Sequence, residues 1–409
     1  MTHFNADDSE NVNEAKLPKR DWILLPLIGL LTICLLAVSS EAIAPRLLNG
    51  GKHWSTTACI MHDPLTGIRG IPNCVYWEEK PEVKPVENIR NACGHRAGMD
   101  CGPKTPDTYR IVMTGSSLPE GEEVQREMTF AALLPAELSR LTGRKVELYN
   151  EAIVFRNPRN VDLRFIEITA AQPNAILWVL DPRDIRDTED PLGFAQLGVM
   201  ERIKSRIKFA LNKGDFPSAI REIANNITAS LIARLHDNTI TPTLIMHILY
   251  QDRNEYVKLY LMGDRLNNGF LRDKLDSNWQ YNLKDFDHYF ADIERQAKDA
   301  GVPLVVTLVP NRAQAAMISM GEWPAGYDPY KLGDELRAIV TRHGGIYIDI
   351  LPDFRAIPSS ELGYFAVDGH LNPDGHAIVS RLLAKELTDG SVPALKAAAQ
   401  PQYGLEQEK

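Results

Sequence analysis

From residue 109 onward, short apolar runs alternate with amphipathic stretches. The runs are YRIVMTG (109–115), KVELYNEAI (145–153), AILWVLD (175–181), PLVVTLVP (303–310) and GIYIDIL (345–351). Each is nearly continuous in apolar residues, as strands buried on both faces are. Between them TFAALLPAELSRLTG (129–143), DFDHYFADIERQAKDAG (285–301), KLGDELRAIVTRHGG (331–345) and PDGHAIVSRLLAKEL (373–387) carry apolar residues at helical spacing, three of them ending in glycine. This alternation predicts a three-layer α/β domain over 108–390. Its core is a parallel five-stranded sheet in the flavodoxin-like order 2-1-3-4-5, with helices on both faces. Such sheets bind ligands at the carboxyl ends of their strands.

Two segments break the rhythm. The interval 186–284 is too long for one crossover and reads as a helical insertion between the third and fourth strands. Its Met and Leu stripes are core rather than a cofactor box. Near the N-terminus, WILLPLIGLLTICLLAVS (22–39) is 18 residues without a charge, just long enough to span a bilayer. Lys16, Lys19 and Arg20 crowd its N-terminal side, against Arg46 and Lys52 farther off on the other. The positive-inside rule then makes 1–20 a cytoplasmic tail, 21–43 a transmembrane signal anchor, and the rest extracytoplasmic. A cleaved signal peptide is the rival, but the apolar region exceeds the usual one. Residues 391–409 read as a flexible tail.

Cysteine usage agrees with export. Cys34 lies in the apolar block, and Cys59, Cys74, Cys93 and Cys101 cluster in 45–107, a Gly- and Pro-rich stretch that reads as irregular and disulfide-stapled. Three pairings are open. Cys59–Cys74 with Cys93–Cys101, closing two short loops, is favoured. No C-x2-C pair supports zinc. A net charge of −9, without a basic run, speaks against nucleic-acid binding.

Candidate chemistry gathers at two places. Gly115-Ser116-Ser117 ends the first strand, where a serine is exposed beside backbone N–H groups able to receive an oxyanion. The competing reading is a capping box, Ser117-Leu118-Pro119-Glu120. The second place is VDGHLNPDGH (367–376). Asn372 before Pro373 starts a helix, which leaves Asp368 and His370 on the loop ahead of it. A carboxylate beside an imidazole fixes its tautomer, the role of the third member of a catalytic triad. A metal site from Asp368, His370, Asp374 and His376 ranks lower, because the last two lie on the helix.

GSSLPEG (115–121) and DGHLNPDGH (368–376) resemble the first and last blocks of the SGNH (GDSL-type) hydrolases and their acyltransferase relatives. The resemblance covers about 108–388. It implies Ser117 as nucleophile, His370 as base and Asp368 as its orienting partner, spaced D-x-H. It also implies an oxyanion site from the N–H groups of Ser117 and Ala152. Ala152 stands where the family has glycine, and Arg183 stands where it has asparagine. The expected activity is hydrolysis of acyl, foremost acetyl, esters on a small molecule or polysaccharide, without cofactor or metal. The alternatives are O-acyl transfer to an exported polysaccharide and non-catalytic glycan binding or assembly. Nothing in the sequence names a protein partner.

Overall fold

The computed structural model describes residues 18, 20–48, 50, 59–63, 67–186, 240–263 and 265–398. Most of the expected cytoplasmic tail, residues 187–239 of the expected insertion and most of the expected C-terminal tail lie outside them.

The five apolar runs form one parallel sheet. Its strands are β5 (Tyr109–Gly115), β6 (Val146–Asn150), β7 (Ala175–Leu180), β8 (Leu304–Leu308) and β9 (Ile346–Tyr347), ordered β6-β5-β7-β8-β9. This is the expected 2-1-3-4-5 order. Every residue of β5, β7 and β8 is buried, which explains why their sequences are apolar throughout rather than alternating. Met113 pairs with Asn150 on one side of β5, and Gly115 with Val179 on the other. The last run is shorter as a strand than its apolar length implies. The Ile348 N–H still reaches Val306 O, but the Asp349 carboxylate then accepts the Leu351 N–H and turns the chain.

Helices cover both faces. Phe130–Thr142 lies beside Pro373–Thr388 on one. On the other, Ser277–Asp299 sets Phe286 and Phe290 against Trp178 of β7. That helix begins before the expected residue 285, because the Asp276 side chain caps it by accepting the Trp279 N–H. The described part of the expected insertion is helical, with Thr241–Leu249, Arg253–Met262 and Arg265–Asn268.

The cysteine-rich stretch is more regular than its sequence reads. It holds two antiparallel hairpins, β1 (Ile60–Asp63) with β2 (Gly67–Gly70), and β3 (Val75–Lys80) with β4 (Val83–Ile89). Several of the inward positions of the second hairpin carry Glu78, Lys80 and Asn88, all buried. Polar residues at buried positions hide the period-two apolar signal. Cys59–Cys74 and Cys93–Cys101 are bonded as favoured. The N-terminal helix runs on to Leu48, giving Asp21–Leu48, and is long and apolar enough to cross a membrane.

Candidate active site

Strand β5 delivers Gly115-Ser116-Ser117 to the carboxyl edge of the sheet. Gly115 has φ 145, and a Cβ there would lie 2.2 Å from Val179 O and 2.6 Å from Pro119 Cγ. Only glycine fits this crossing point. Ser116 is then the N-cap residue of the short helix Ser117–Glu120, with no side-chain cap bond. The capping box is therefore not made. Glu120 instead accepts the Val154 N–H at 2.6 Å and pairs with Arg90 at 2.7 Å. Ser117 is left free for another use. Its N–H heads the helix, where first-turn donors lack intrahelical acceptors.

Ser117 Oγ lies 2.9 Å from His370 Nε2. On the other side of the ring, Nδ1 is hydrogen-bonded to Asp368 and lies 3.1 Å from Glu123 Oε1. In the neutral ring the Asp368 and Glu123 carboxyl groups at Nδ1 favour the proton there, and the Nε2 lone pair then faces the serine hydroxyl. Gly369, between Asp368 and His370, is left-handed with φ 83, and this bend turns the two side chains toward each other. Asn372 caps the following helix as expected, accepting the Gly375 N–H at 3.0 Å.

Arg183 arrives from the turn after β7. The Asp181 carboxylate shapes that turn by accepting the Arg183 N–H at 2.5 Å, and it also holds the guanidinium at 3.2 Å. Arg183 Nη2 lies 3.1 Å from His370 Nε2, beside the serine oxygen. Asp184 hydrogen-bonds Ser116 and accepts the Asp181 N–H at 2.9 Å. Ala152 is placed differently from its expectation. It is fully buried, and its N–H is spent on Asn150 Oδ1 at 3.0 Å. At the same rim, Phe155 has a left-handed backbone, φ 62, and lines the cavity over Ser117. The other histidine of the last block is elsewhere: His376 Nδ1 accepts the Phe130 N–H at 3.1 Å, and Asp374 is exposed.

A second layer comes from the hairpin β3–β4. Lys80 reaches in to contact Glu123, with Glu78 at 3.4 Å and Asp368 Oδ2 at 3.5 Å. Next to it, Glu82 Oε2 accepts the N–H groups of Val367 at 2.7 Å and Asp368 at 3.1 Å. Sequence reasoning missed Lys80, Glu82, Glu122 and Glu123. The run Glu122-Glu123 directly after the serine turn was the available signal.

The charges are strongly coupled. Burial would lower the His370 pKa, but Asp368 and Glu123 override it and push it up to about 10. Burial pushes the Glu123 carboxyl up to about 8, aided by Asp368 and opposed by His370 and Lys80. Asp368 is buried too, yet His370 and Lys80 hold it well below the usual carboxylate range. Four carboxylates outweigh burial and raise the Lys80 ammonium.

Two cavities open here. One of about 190 Å³ is lined by Ser117, Phe155, Arg156, Asn157, Arg183 and His370. The other, about 260 Å³, is lined by Arg183 and Asp368 together with Tyr250, Tyr256, Tyr260 and Arg312.

No family model matches the chain, and no curated protein matches it in sequence. Solved structures do match, among them several esterases and acylhydrolases and a GDSL-like lipase from Parabacteroides merdae. They include an acetylxylan esterase from Geobacillus stearothermophilus, 12% identical over 68% of this chain and 94% of that one, TM-score 0.35. The psychrotrophic esterase EstA from Pseudoalteromonas sp. is 8% identical over 69% of this chain and 97% of that one, TM-score 0.35. The lipase/acylhydrolase from Enterococcus faecalis is 11% identical over 68% of this chain and 94% of that one, TM-score 0.35.

Proposed function

We propose that the protein is a membrane-anchored, extracytoplasmic serine esterase of the SGNH type, acting on short acyl esters, foremost acetyl. The observation that carries this is the 2.9 Å contact of Ser117 Oγ with His370 Nε2, backed by Asp368 on Nδ1. His370 takes the Ser117 proton as Oγ adds to the ester carbonyl carbon. The oxyanion is received by the Ser117 N–H and the Arg183 guanidinium, which replaces an amide donor with a cation. Collapse breaks the bond to the alcohol oxygen, and His370 returns the proton to that leaving group. Water then adds to the acyl-serine with His370 again as base; the carbonyl–Oγ bond breaks, His370 returns the proton to Ser117 Oγ, and the acid departs. Asp368 holds the imidazole in the required tautomer throughout. A cavity of about 190 Å³ over the serine favours a short acyl group, being smaller than typical drug-sized sites.

Hydrolysis of p-nitrophenyl acetate by the purified full chain, compared with Ser117→Ala, tests this. Equal rates from the two proteins would sink the assignment.

The second cavity favours transfer to a hydroxyl acceptor as a second reading. It shares Arg183 and Asp368 with the catalytic group and is walled by tyrosines, which suit a sugar ring. Product analysis with an added glycan acceptor separates the two: acyl-glycan supports transfer, free acid alone supports hydrolysis.

A further inference from the structure

The N-terminal helix is longer than a membrane requires. At 1.5 Å per residue, the 28 residues of Asp21–Leu48 span roughly 42 Å, against about 30 Å of hydrocarbon. Its last two turns therefore leave the bilayer core. There a second helix is fastened to it. The Glu41 carboxylate accepts the N–H groups of Ile240 at 3.0 Å and Thr241 at 2.8 Å, and the Ser40 hydroxyl meets that of Thr241 at 2.5 Å. Ala44, Leu48 and Ile240 bury one another, with Leu244 packed against them.

The fastened helix, Thr241–Leu249, has two further faces. His247 points to the disulfide-bound hairpin, where its Nδ1 lies 2.5 Å from Glu82 Oε1. Ile245, Ile248 and Leu249 sit at i, i+3 and i+4 on one outward stripe, 53%, 61% and 46% exposed. On the N-terminal helix, Ile43 and Leu47 are likewise 49% and 61% exposed. The apolar stripe thus lies on a helix fastened to the end of the one that enters the membrane.

We propose that Thr241–Leu249 lies in the outer membrane–water interface, with Ile245, Ile248 and Leu249 in the lipid. This rests on reading Asp21–Leu48 as an uncleaved anchor. Thr241 is fastened at Ser40 and Glu41, about where Asp21–Leu48 leaves the hydrocarbon, so lipid is the occupant rather than a second copy of the chain. The same helix touches the catalytic loop through His247 and Glu82, whose carboxylate holds the Val367 and Asp368 N–H groups. The interface contact therefore fixes the height of the active site above the membrane.

The test uses the full chain in phosphatidylcholine–phosphatidylglycerol vesicles, with Cys34→Ser as background and a fluorophore on a single introduced cysteine. Ile248→Cys is compared with Leu36→Cys in the anchor and Arg295→Cys on a sheet-covering helix. Quenching by nitroxide-bearing lipid at 248 should be at least two-fold that at 295 and approach that at 36. Quenching at 248 equal to that at 295, with 36 strongly quenched, overturns the inference and leaves the anchor intact. No lipid quenching at 36 overturns the anchor reading, and this inference with it. A probe at 248 shielded from both lipid and aqueous iodide, in a concentration-dependent way, assigns the stripe to a second copy and also overturns it.

Discussion

Lys80 and Asp368 meet 3.5 Å apart, ammonium to carboxylate, although one lies in the disulfide-bound hairpin and the other on the loop before the last helix. Lys80 also contacts Glu123 and faces Glu78 and Glu122 at 3.4 and 3.9 Å, so it is the near cation in a crowd of buried carboxylates. Removing one partner from such a group leaves charge uncompensated, at a typical cost of about 3–5 kcal/mol. Lys80→Met should lower the unfolding midpoint in denaturant accordingly. With the cation gone, His370 should also hold its proton more tightly, and the acid limb of the activity profile should move to higher pH. A variant with wild-type stability and profile would show the hairpin to be a bystander.

In the proposed mechanism His370 must be neutral to accept the serine proton, and Asp368 and Glu123 raise its pKa to about 10. A raised pKa on a group that works deprotonated displaces the working range upward. kcat/KM should therefore climb with pH well beyond the ordinary histidine value of about 6.5. Glu123→Gln removes one of the two carboxylates at Nδ1, so its acid limb should fall by about one pH unit or more, on the scale of a charge at this distance. The measurement is a pH–rate series on both proteins. A limb that stays in place on going to Gln would mean that Glu123 does not bear on the imidazole.

Arg183 has its Nη2 3.1 Å from His370 Nε2, the same atom that faces Ser117 Oγ at 2.9 Å. If it serves the oxyanion, Arg183→Ala should lose about 10² to 10³ in kcat with KM little changed, the usual loss for one oxyanion donor. A rise in KM at constant kcat would assign it to substrate binding instead.

The bond Cys59–Cys74 closes a 15-residue separation just ahead of β3. A loop of that size is worth about 3 kcal/mol in chain entropy. The double change Cys59→Ser with Cys74→Ser should lower stability by that order. It should also weaken activity, because the hairpin it braces carries Lys80 and Glu82. Denaturant melts and acetyl-ester turnover, read on the same preparation, check both.

The sheet was legible because β5, β7 and β8 are buried on both faces, so their apolar character survives any detail of packing. The meeting of Ser117, Asp368 and His370 was legible too, since a strand end and a helix start have local signatures. What lay hidden is held by distant charge pairs. Glu78, Lys80 and Asn88 occupy buried places in a hairpin, and polar residues there erase the alternation that marks a strand. The Ala152 N–H was misplaced for a related reason: its acceptor is a side chain, Asn150 Oδ1, which no backbone pattern announces. The capping box failed because Glu120 finds a stronger partner in Arg90.

Gly369 gives the acid–imidazole pair a hinge of one residue. A methyl group at its Cα would meet no atom within 4 Å, so room is not what keeps glycine there. What an alanine disturbs is the φ of 83, a torsion that costs about 1–2 kcal/mol for a residue with a side chain. The bite between proton acceptor and anchor is thus written into a single rotatable bond. Substitution at this one position offers a graded dial on the chemistry that leaves every side chain of the centre in place.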